Sequence, residues 1–580
     1  MIISRRNILA FTSVLATNIF WSAFLRVPFT GDEPSYYVNS WALAHGYGRN
    51  VLAASKILIS NSALSLQTNH ILVTPFGNSV SWHQYLLAVL LTPVTFFSLK
   101  VFYVRLLMSL YTAIGSLLFL ELIDKIFPDN KRKNLISWVS IFCFYPIGAF
   151  AGLAYPDLIA SYIYCGAILL LAEQKNENEK RQLILAGLIL FLLPNLGIKF
   201  SVLIGPLLIF ILSRSFKLAL RTRIAIFGYL FTVGIVWIIY MSWFYSSLWF
   251  IKVISDVPSP TQEHYWKIDN LYTVGIGSWI SNTGGLIFVA PFIAIPMAYL
   301  SVYFHKNKDG LIKVAFIGLG LYLITVSLFG TTGFSFSYRY FMPLVPFLIV
   351  PLAFALSIDK KKIIHKTLAI LIILSLAIAG SIASNPGSML LGLPNSAKNL
   401  TPYSKIFPQL IGYPPAEKTY IYKGRDLMSA IAVNQSTDGS VTTKSSSESG
   451  FLAYGPYSQL PVGTWIARVD LSNSATNSLD IEIIGNAYEI LAKKHITRYL
   501  NQKIDLEFKT TNKWPNIQLR ITTYGKGQVT FKSLEFVQVS SEKTKDIFDF
   551  LKSLFWLSLL LLPWAADYQK CRFRKMFQTY

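Results

Sequence analysis

The sequence predicts an α-helical polytopic membrane protein of about 12 transmembrane helices plus a juxtamembrane helix, carrying an extracytoplasmic β-sandwich domain. Three observations lead there. Of 580 residues, 53% are hydrophobic and only 14% charged, with a mean hydropathy of +0.46, outside the range of soluble globular chains. Apolar runs long enough to cross a bilayer recur from residue 8 to 384, separated by short basic links. Residues 385–545 then turn rich in Ser, Thr, Asn, Gly and Pro and alternate apolar with polar at period two.

The candidate spans are 8–27, 103–122, 135–154, 158–172, 183–196, 199–213, 224–244, 284–304, 311–329, 341–357, 366–384 and 547–565. Several are short, 183–196 and 199–213 above all, so tilt or a partly re-entrant pair is allowed for. Arg5 and Arg6 precede the first run, no small-residue cleavage site follows it, and Pro28 closes it, so it reads as a retained helix. The net charge of +23 would suit nucleic acid if it formed one patch. Instead the cations sit in links between apolar runs, as the positive-inside rule requires, and nucleic acid is not an expected partner.

Lys131-Arg132-Lys133, Lys180-Arg181, Arg221 with Arg223, His305-Lys306 with Lys308, Lys360-Lys361-Lys362 and the basic tail all face the cytoplasm under one assumption. Residues 83–122 must cross once, with 83–99 a juxtamembrane helix on the outer surface. That topology puts the loop 28–82, the Tyr155-Pro156-Asp157 turn, Lys199, the loop 245–283, the stretch 333–340 and the region 385–545 outside.

In the C-terminal region Trp465, Ala467, Val469 and Leu471 share a strand face, as do Leu479, Ile481 and Ile483, and Ile517, Leu519 and Ile521. The stretch 442–449 reads as an exposed loop. The domains expected are 1–384, helical and transmembrane; 385–545, the β-sandwich; and 546–580, a last crossing with a basic cytoplasmic tail. Cys143 and Cys165 lie in apolar runs and Cys571 in the tail, which leaves no disulfide or metal motif among the cysteines. A phosphate-cradling Gly-rich loop, a zinc-protease helix and a nucleophile elbow are all missing from the sequence.

The first outer loop reads Gly31-Asp32-Glu33-Pro34-Ser35-Tyr36-Tyr37. A carboxylate there can deprotonate an acceptor hydroxyl or bind a divalent cation, Mg or Mn. It can equally cap the helix that opens near Pro34, since Asp is a good N-cap and Pro suits the first turn. Arg105, Asp157, Lys199 and Arg339 fall on the same side, where cations can either snorkel at the interface or converge on a phosphate. His83 is a further substrate-contact candidate, with an interfacial structural role as the competing reading. Asp256, Glu263, His264 and Asp269 in the loop 245–283 suit a solvated interface as well as a sugar site.

This layout resembles the GT-C superfamily of polytopic glycosyltransferases, over most of residues 1–385. The chain is most similar to a bacterial group marked by Gly-Asp-Glu-Pro, matched by Gly31 to Pro34. Ser81-Trp82-His83, Tyr155-Pro156-Asp157, Gly284-Gly285-Leu286 and Tyr338-Arg339-Tyr340 with Pro343 match in order. Departures are Ser35 where the group often has His, Lys199 where it has Arg, and Ser281-Asn282-Thr283 where an Asp precedes Gly-Leu-Leu.

The resemblance implies an inverting transfer, metal-assisted or metal-independent, of a sugar from a polyprenyl-phosphate donor in the membrane lipid to an extracytoplasmic glycan, lipid or protein. Asp32 would be the base and Glu33 its nearest rival; His83, Arg105, Asp157, Lys199, Tyr338 and Arg339 would bind substrate, and Asp32 and Asp157 would ligate any metal. A ligase or polymerase of lipid-linked glycans is the enzyme alternative, and a transporter or non-catalytic assembly protein the alternative of another class. Residues 450–457 and 460–465 resemble a strand pair of carbohydrate-binding-like sandwiches, with a purely structural cap as an equal reading.

Overall fold

The computed structural model describes residues 5–25, 33–48, 50–61, 71–73, 79–81, 83–97, 100–172, 179–245, 268, 271–281, 285–307, 309–329, 339–359, 361–383, 406–407, 419–427, 429, 433–443, 449–460, 463–473, 478–485, 489–497, 500–510, 516–524, 527–541, 550–563 and 565. The fold is mostly helical, with a C-terminal sheet region. In chain order come α1 (Arg5–Leu25), α2 (Glu33–Ala44), α3 (Val51–Asn61), the two-stranded ribbon β1 (Ile71–Val73) and β2 (Ser79–Ser81), α4 (Leu86–Thr95) and α5 (Val101–Ile126). They are followed by α6 (Lys131–Phe142), α7 (Ile147–Phe150), α8 (Pro156–Ala172), α9 (Glu179–Leu190), α10 (Leu193–Leu196), α11 (Ile204–Ser215) and α12 (Leu220–Tyr245).

Among the described residues, four helices are long and apolar enough to cross a membrane: Val101–Ile126, Ile198–Ser215, Leu220–Tyr245 and Gly310–Leu328. Shorter apolar helices include Leu86–Thr95, Pro156–Ala172, Ile363–Ala379 and Phe550–Pro563. The expected juxtamembrane helix is therefore a helix, α4, over ten of its residues.

Several expected spans are not continuous: 183–196 is α9 and the short α10, 341–357 opens as 3-10 turns before the helix Ile349–Ile358, and two others break at prolines. The run 135–154 is α6 and the single turn α7, broken around Pro146, and 284–304 is the turn Leu286–Val289, a 3-10 turn at Pro291–Ile293 and the helix Ala294–Lys306. Proline has no N–H to give the preceding turn and its ring crowds the carbonyl four residues back, so an apolar run is not by itself one helix. Conversely, 199–213 starts as the 3-10 turn Ile198–Leu203 and runs directly into α11.

Around α5 the helices share one apolar core. α5 packs on α1, α6 and α8, and α2 packs on α4. Gly115 on α5 lies so close to the Tyr162 ring of α8 that a Cβ there would collide with it. Such close approach suits a bundle in lipid, where contact comes from van der Waals packing rather than from expelling water.

The C-terminal strands are β3 (Thr419–Lys423), β4 (Val433–Gln435), β5 (Val441–Thr443), β6 (Ser449–Gln459), β7 (Gly463–Asn473), β8 (Leu479–Gly485), β9 (Glu489–Ile496), β10 (Leu500–Thr510), β11 (Asn516–Tyr524) and β12 (Val529–Ser541). One sheet runs β10-β7-β12-β5-β4 with β3 also on β12; the other runs β6-β11-β8-β9. All pairs are antiparallel. The period-two faces read from sequence are the ones that turn inward: Trp465, Ala467, Val469, Leu471, Leu479, Ile481, Ile483, Ile517, Leu519 and Ile521 are all fully buried in a core common to both sheets.

Two local expectations change. The strands 450–457 and 460–465 are not a pair: β6 bonds to β11 in one sheet and β7 to β10 and β12 in the other, so Leu460 lies where the chain passes between sheets. Thr442 and Thr443 belong to β5 rather than to a loop, and Thr443 is buried.

At its far end the chain returns to the helical part. The Trp556 ring stacks on Phe407 at 4.4 Å and its indole N–H donates to the Ile406 carbonyl at 3.0 Å, while Phe407 also meets Phe288. Tyr272 and Ser553 hydroxyls are hydrogen-bonded at 3.1 Å.

Candidate functional site

Glu33 opens α2, with Pro34 in the first turn, where the missing proline N–H would have had no helical partner anyway. Its side chain is fully buried. Both carboxylate oxygens accept from the Arg105 guanidinium, which reaches across from the first turns of α5, and the Ala154 N–H donates to Oε1 at 2.7 Å. Arg105 Nη1 also donates to the Gly152 carbonyl at 3.1 Å. A planar, two-pronged guanidinium matches a carboxylate in a way a lysine cannot, and the backbone bonds fix that geometry. Through these bonds α2, α5 and the turn before α8 meet at one point.

Two residues beyond Ala154 that turn becomes α8. Asp157 sits in its first turn with the side chain fully buried. Its Oδ1 accepts from Lys199 Nζ at 2.6 Å and its Oδ2 from Arg339 Nε at 3.3 Å. Lys199 comes from the 3-10 turn Ile198–Leu203 and Arg339 from the 3-10 turn Arg339–Phe341. Aromatic faces back both cations: Lys199 Nζ lies 3.9 Å from the centre of the Tyr340 ring, and the Arg339 guanidinium 3.8 Å from that of Tyr155. The Lys199 side chain is 24% exposed and that of Arg339 only 3%, so Lys199 is the more accessible of the two cations.

His83 is half-buried just before α4, its ring 4.7 Å from that of Tyr36, one turn along α2 from Glu33. Its backbone N–H donates to Ser81 Oγ at 3.1 Å. The next residue, Gln84, lies beside Gly197, and Ile198 packs against the small apolar cluster that contains Val38 and Tyr85, so α2 and α4 adjoin the turn that carries Lys199.

Six predicted residues, Glu33, His83, Arg105, Asp157, Lys199 and Arg339, thus fall in adjoining elements. Asp32 and Tyr338 lie outside the described residues, as do Asp256, Glu263, His264 and Asp269. The cations do not form one clamp, however: Arg105 is taken up by Glu33 and Gly152, while Lys199 and Arg339 share Asp157. Glu33, buried and bound by three donors, fits a brace better than a base.

Among the described residues no group of three or more His, Cys, Asp or Glu side chains could hold a metal ion. Asp157 in particular does not fit a divalent cation, because each of its oxygens already faces an ammonium or a guanidinium that would repel one.

Sequence reasoning did not find the backbone partners Gly152 and Ala154, which carry no side-chain signal. Tyr155 and Tyr340 stand next to chosen residues and were read only as landmarks. Gly285 was similarly a landmark; a Cβ there would lie 2.5 Å from Ser281 N, 2.8 Å from Ile280 N and 2.9 Å from Gly277 O, so the turn admits only glycine.

No protein-family model matches the chain, and no curated protein does. Among solved structures it is similar to the Clostridium thermocellum N-terminal endo-1,4-beta-D-xylanase 10B, CBM22-1 and GH10 modules, complexed with xylohexaose, at 18% identity and a TM-score of 0.14. That likeness covers 21% of this chain and 25% of the xylanase, about a quarter of that chain's length. A likeness of this extent assigns the chain to no family.

Proposed function

We propose that the chain is a GT-C-type glycosyltransferase of the bacterial inner membrane, moving a sugar from a polyprenyl-phosphate donor to an extracytoplasmic glycan, lipid or protein. The observation that carries this reading is Asp157: one fully buried carboxylate holds Lys199 and Arg339, from two distant parts of the chain, side by side. Cations fixed in this way can take the negative charge that grows on a leaving phosphate without reorganising. The Glu33, Arg105 and Ala154 junction braces the turn that leads to Asp157 and the start of the helix that follows Asp32.

In the proposed reaction Asp32 takes the proton of the acceptor hydroxyl, whose oxygen forms the new bond to the anomeric carbon from the face opposite the phosphate. The bond from that carbon to the phosphate oxygen breaks, and polyprenyl phosphate leaves with the electron pair toward Lys199 and Arg339. About 12 crossings, with the acidic loop and the C-terminal sheets outside, belong to the same reading. A lipid-linked glycan ligase or polymerase would use the same groups and differs only in acceptor. A transporter reading is weaker, because Arg105 lies in the first turns of α5 rather than at its middle.

Sugar transfer from a labelled polyprenyl-phosphate sugar in detergent tests this. Asp32→Asn should lower the rate by about 10²–10⁴-fold, and full activity in a folded variant would remove Asp32 as base.

A further inference from the structure

The outward face of the smaller sheet differs in chemistry from that of the larger one. In register across its four strands, Phe451, Thr522, Asp480 and His495 form one row, and Tyr454, Arg520, Glu482 and Lys493 the next. The rings of Phe451 and Tyr454 lie 6.0 Å apart on β6, and Tyr524 follows on β11 with its hydroxyl donating to Asp480 Oδ2 at 2.8 Å. Phe451 is 38% and Tyr524 52% exposed. At the usual strand spacing the platform is about 14 Å wide.

Its polar groups are held in place by one another. Lys493 bridges Asp480 and Glu482 at 2.7 and 2.8 Å, and His495 Nδ1 lies 2.5 Å from Asp480 Oδ1. Asp480 and Glu482 are matched in these two rows by Lys493 and Arg520, so the carboxylates and the basic side chains balance and offer no net charge to a polyanion. On the larger sheet the outward positions opposite one another include Arg468, Asp505 and Glu535, an ion-paired row with no ring among the described residues.

We propose that the outward face of β6, β11, β8 and β9 binds an extended, uncharged glycan chain. Exposed rings on one side offer stacking to the apolar face of a sugar, and fixed donors and acceptors beside them match its hydroxyls. That this glycan is the acceptor or product of the transfer rests on the glycosyltransferase reading; that the face binds sugar does not.

The full-length protein in detergent is titrated with cellohexaose, mannohexaose and chitohexaose, with saturation-transfer NMR as the readout. At least one hexasaccharide should bind, and Phe451→Ala and Tyr524→Ala should each weaken it tenfold or more in protein that remains folded at the assay temperature. Phe451→Leu, which keeps an apolar side chain but removes the ring, should weaken it as well, and covers the case in which the alanine variant fails to fold. No binding by any of the three sugars, or equal binding in all variants, overturns the proposal. Asp157→Asn separates the two readings: it should abolish transfer and leave hexasaccharide binding intact. A protein that transfers sugar without binding these chains sinks the platform alone, and one that binds without transferring sinks the enzyme alone.

Discussion

The two ends of α5 carry the same kind of bond in different surroundings. Near its start Arg105 meets Glu33 with side chains 10% and 0% exposed; near its end Asp124 meets Arg6 at 2.5 Å with side chains 25% and 29% exposed. The two sites are separated by about 28 Å along the helix, close to the thickness of a bilayer core. At the first end every charge is desolvated and backbone groups complete the bonding. At the second, Asn134 shares the Asp124 carboxylate at 2.9 Å and water can reach the rest. A buried pair is costly to break because one charge stays behind unpaired, whereas a wet pair can be replaced by solvent. The deep end therefore specifies geometry, and the shallow end mainly fastens α1 to α5 and α6.

Breaking the deep pair gives the largest effect expected. Arg105→Ala removes from the buried Glu33 carboxylate the guanidinium that pairs with both its oxygens, and should cost about 3–5 kcal/mol, measured by thermal unfolding in detergent. A loss as small as that of a surface pair would end the distinction between the two sites.

Next comes Asp157→Asn, which puts two cations side by side without their carboxylate. It should lower stability by about 2–4 kcal/mol, and Lys199→Ala in the same background should restore part of that loss. Recovery would show that the cations repel each other once Asp157 is gone; no recovery would show that Asp157 acts alone.

Arg6→Ala at the shallow end should cost about 1 kcal/mol or less, and the loss should shrink further in high salt.

A fourth effect, read as a pH dependence, belongs to the buried carboxylate of Asp480. Burial raises the pKa of Asp480, but hydrogen bonds from Lys493, His495 and Tyr524 outweigh it and hold the carboxyl at about 2. A depressed carboxylate stabilises the fold fully above its unfolded pKa, about 4, and loses that contribution as pH falls toward 2. The melting-temperature difference between the native chain and Asp480→Asn should therefore narrow between about pH 4 and pH 2. A difference that stays constant over that window would mean that Asp480 titrates normally.

Legibility varied in the same way as environment. Alternation revealed the strand faces well, because burial of Trp465 to Leu471 or Ile517 to Ile521 repeats every second residue whatever the partner strand is. The partner itself is a long-range choice: β6 and β7 are neighbours in sequence yet bond in different sheets. Apolar composition likewise marked the helical runs but not their interruptions at Pro146 and Pro291. At the candidate site the residue types and their order could be read, including Glu33, Arg105, Asp157, Lys199 and Arg339. Their pairing could not, since nothing local distinguishes Arg105 as a third cation for a phosphate from Arg105 as the partner of Glu33.

The sequence alone determined that this is an apolar, mostly helical chain with a period-two C-terminal region and a set of charges at the ends of apolar runs, because those properties follow from composition and spacing. Only the tertiary structure decided which charge meets which. Asp157 finds its partners 42 and 182 residues away, and Glu33 closes on Arg105 and on the Ala154 N–H, 72 and 121 residues away. Such contacts depend on how helices and turns pack, and no local pattern encodes them.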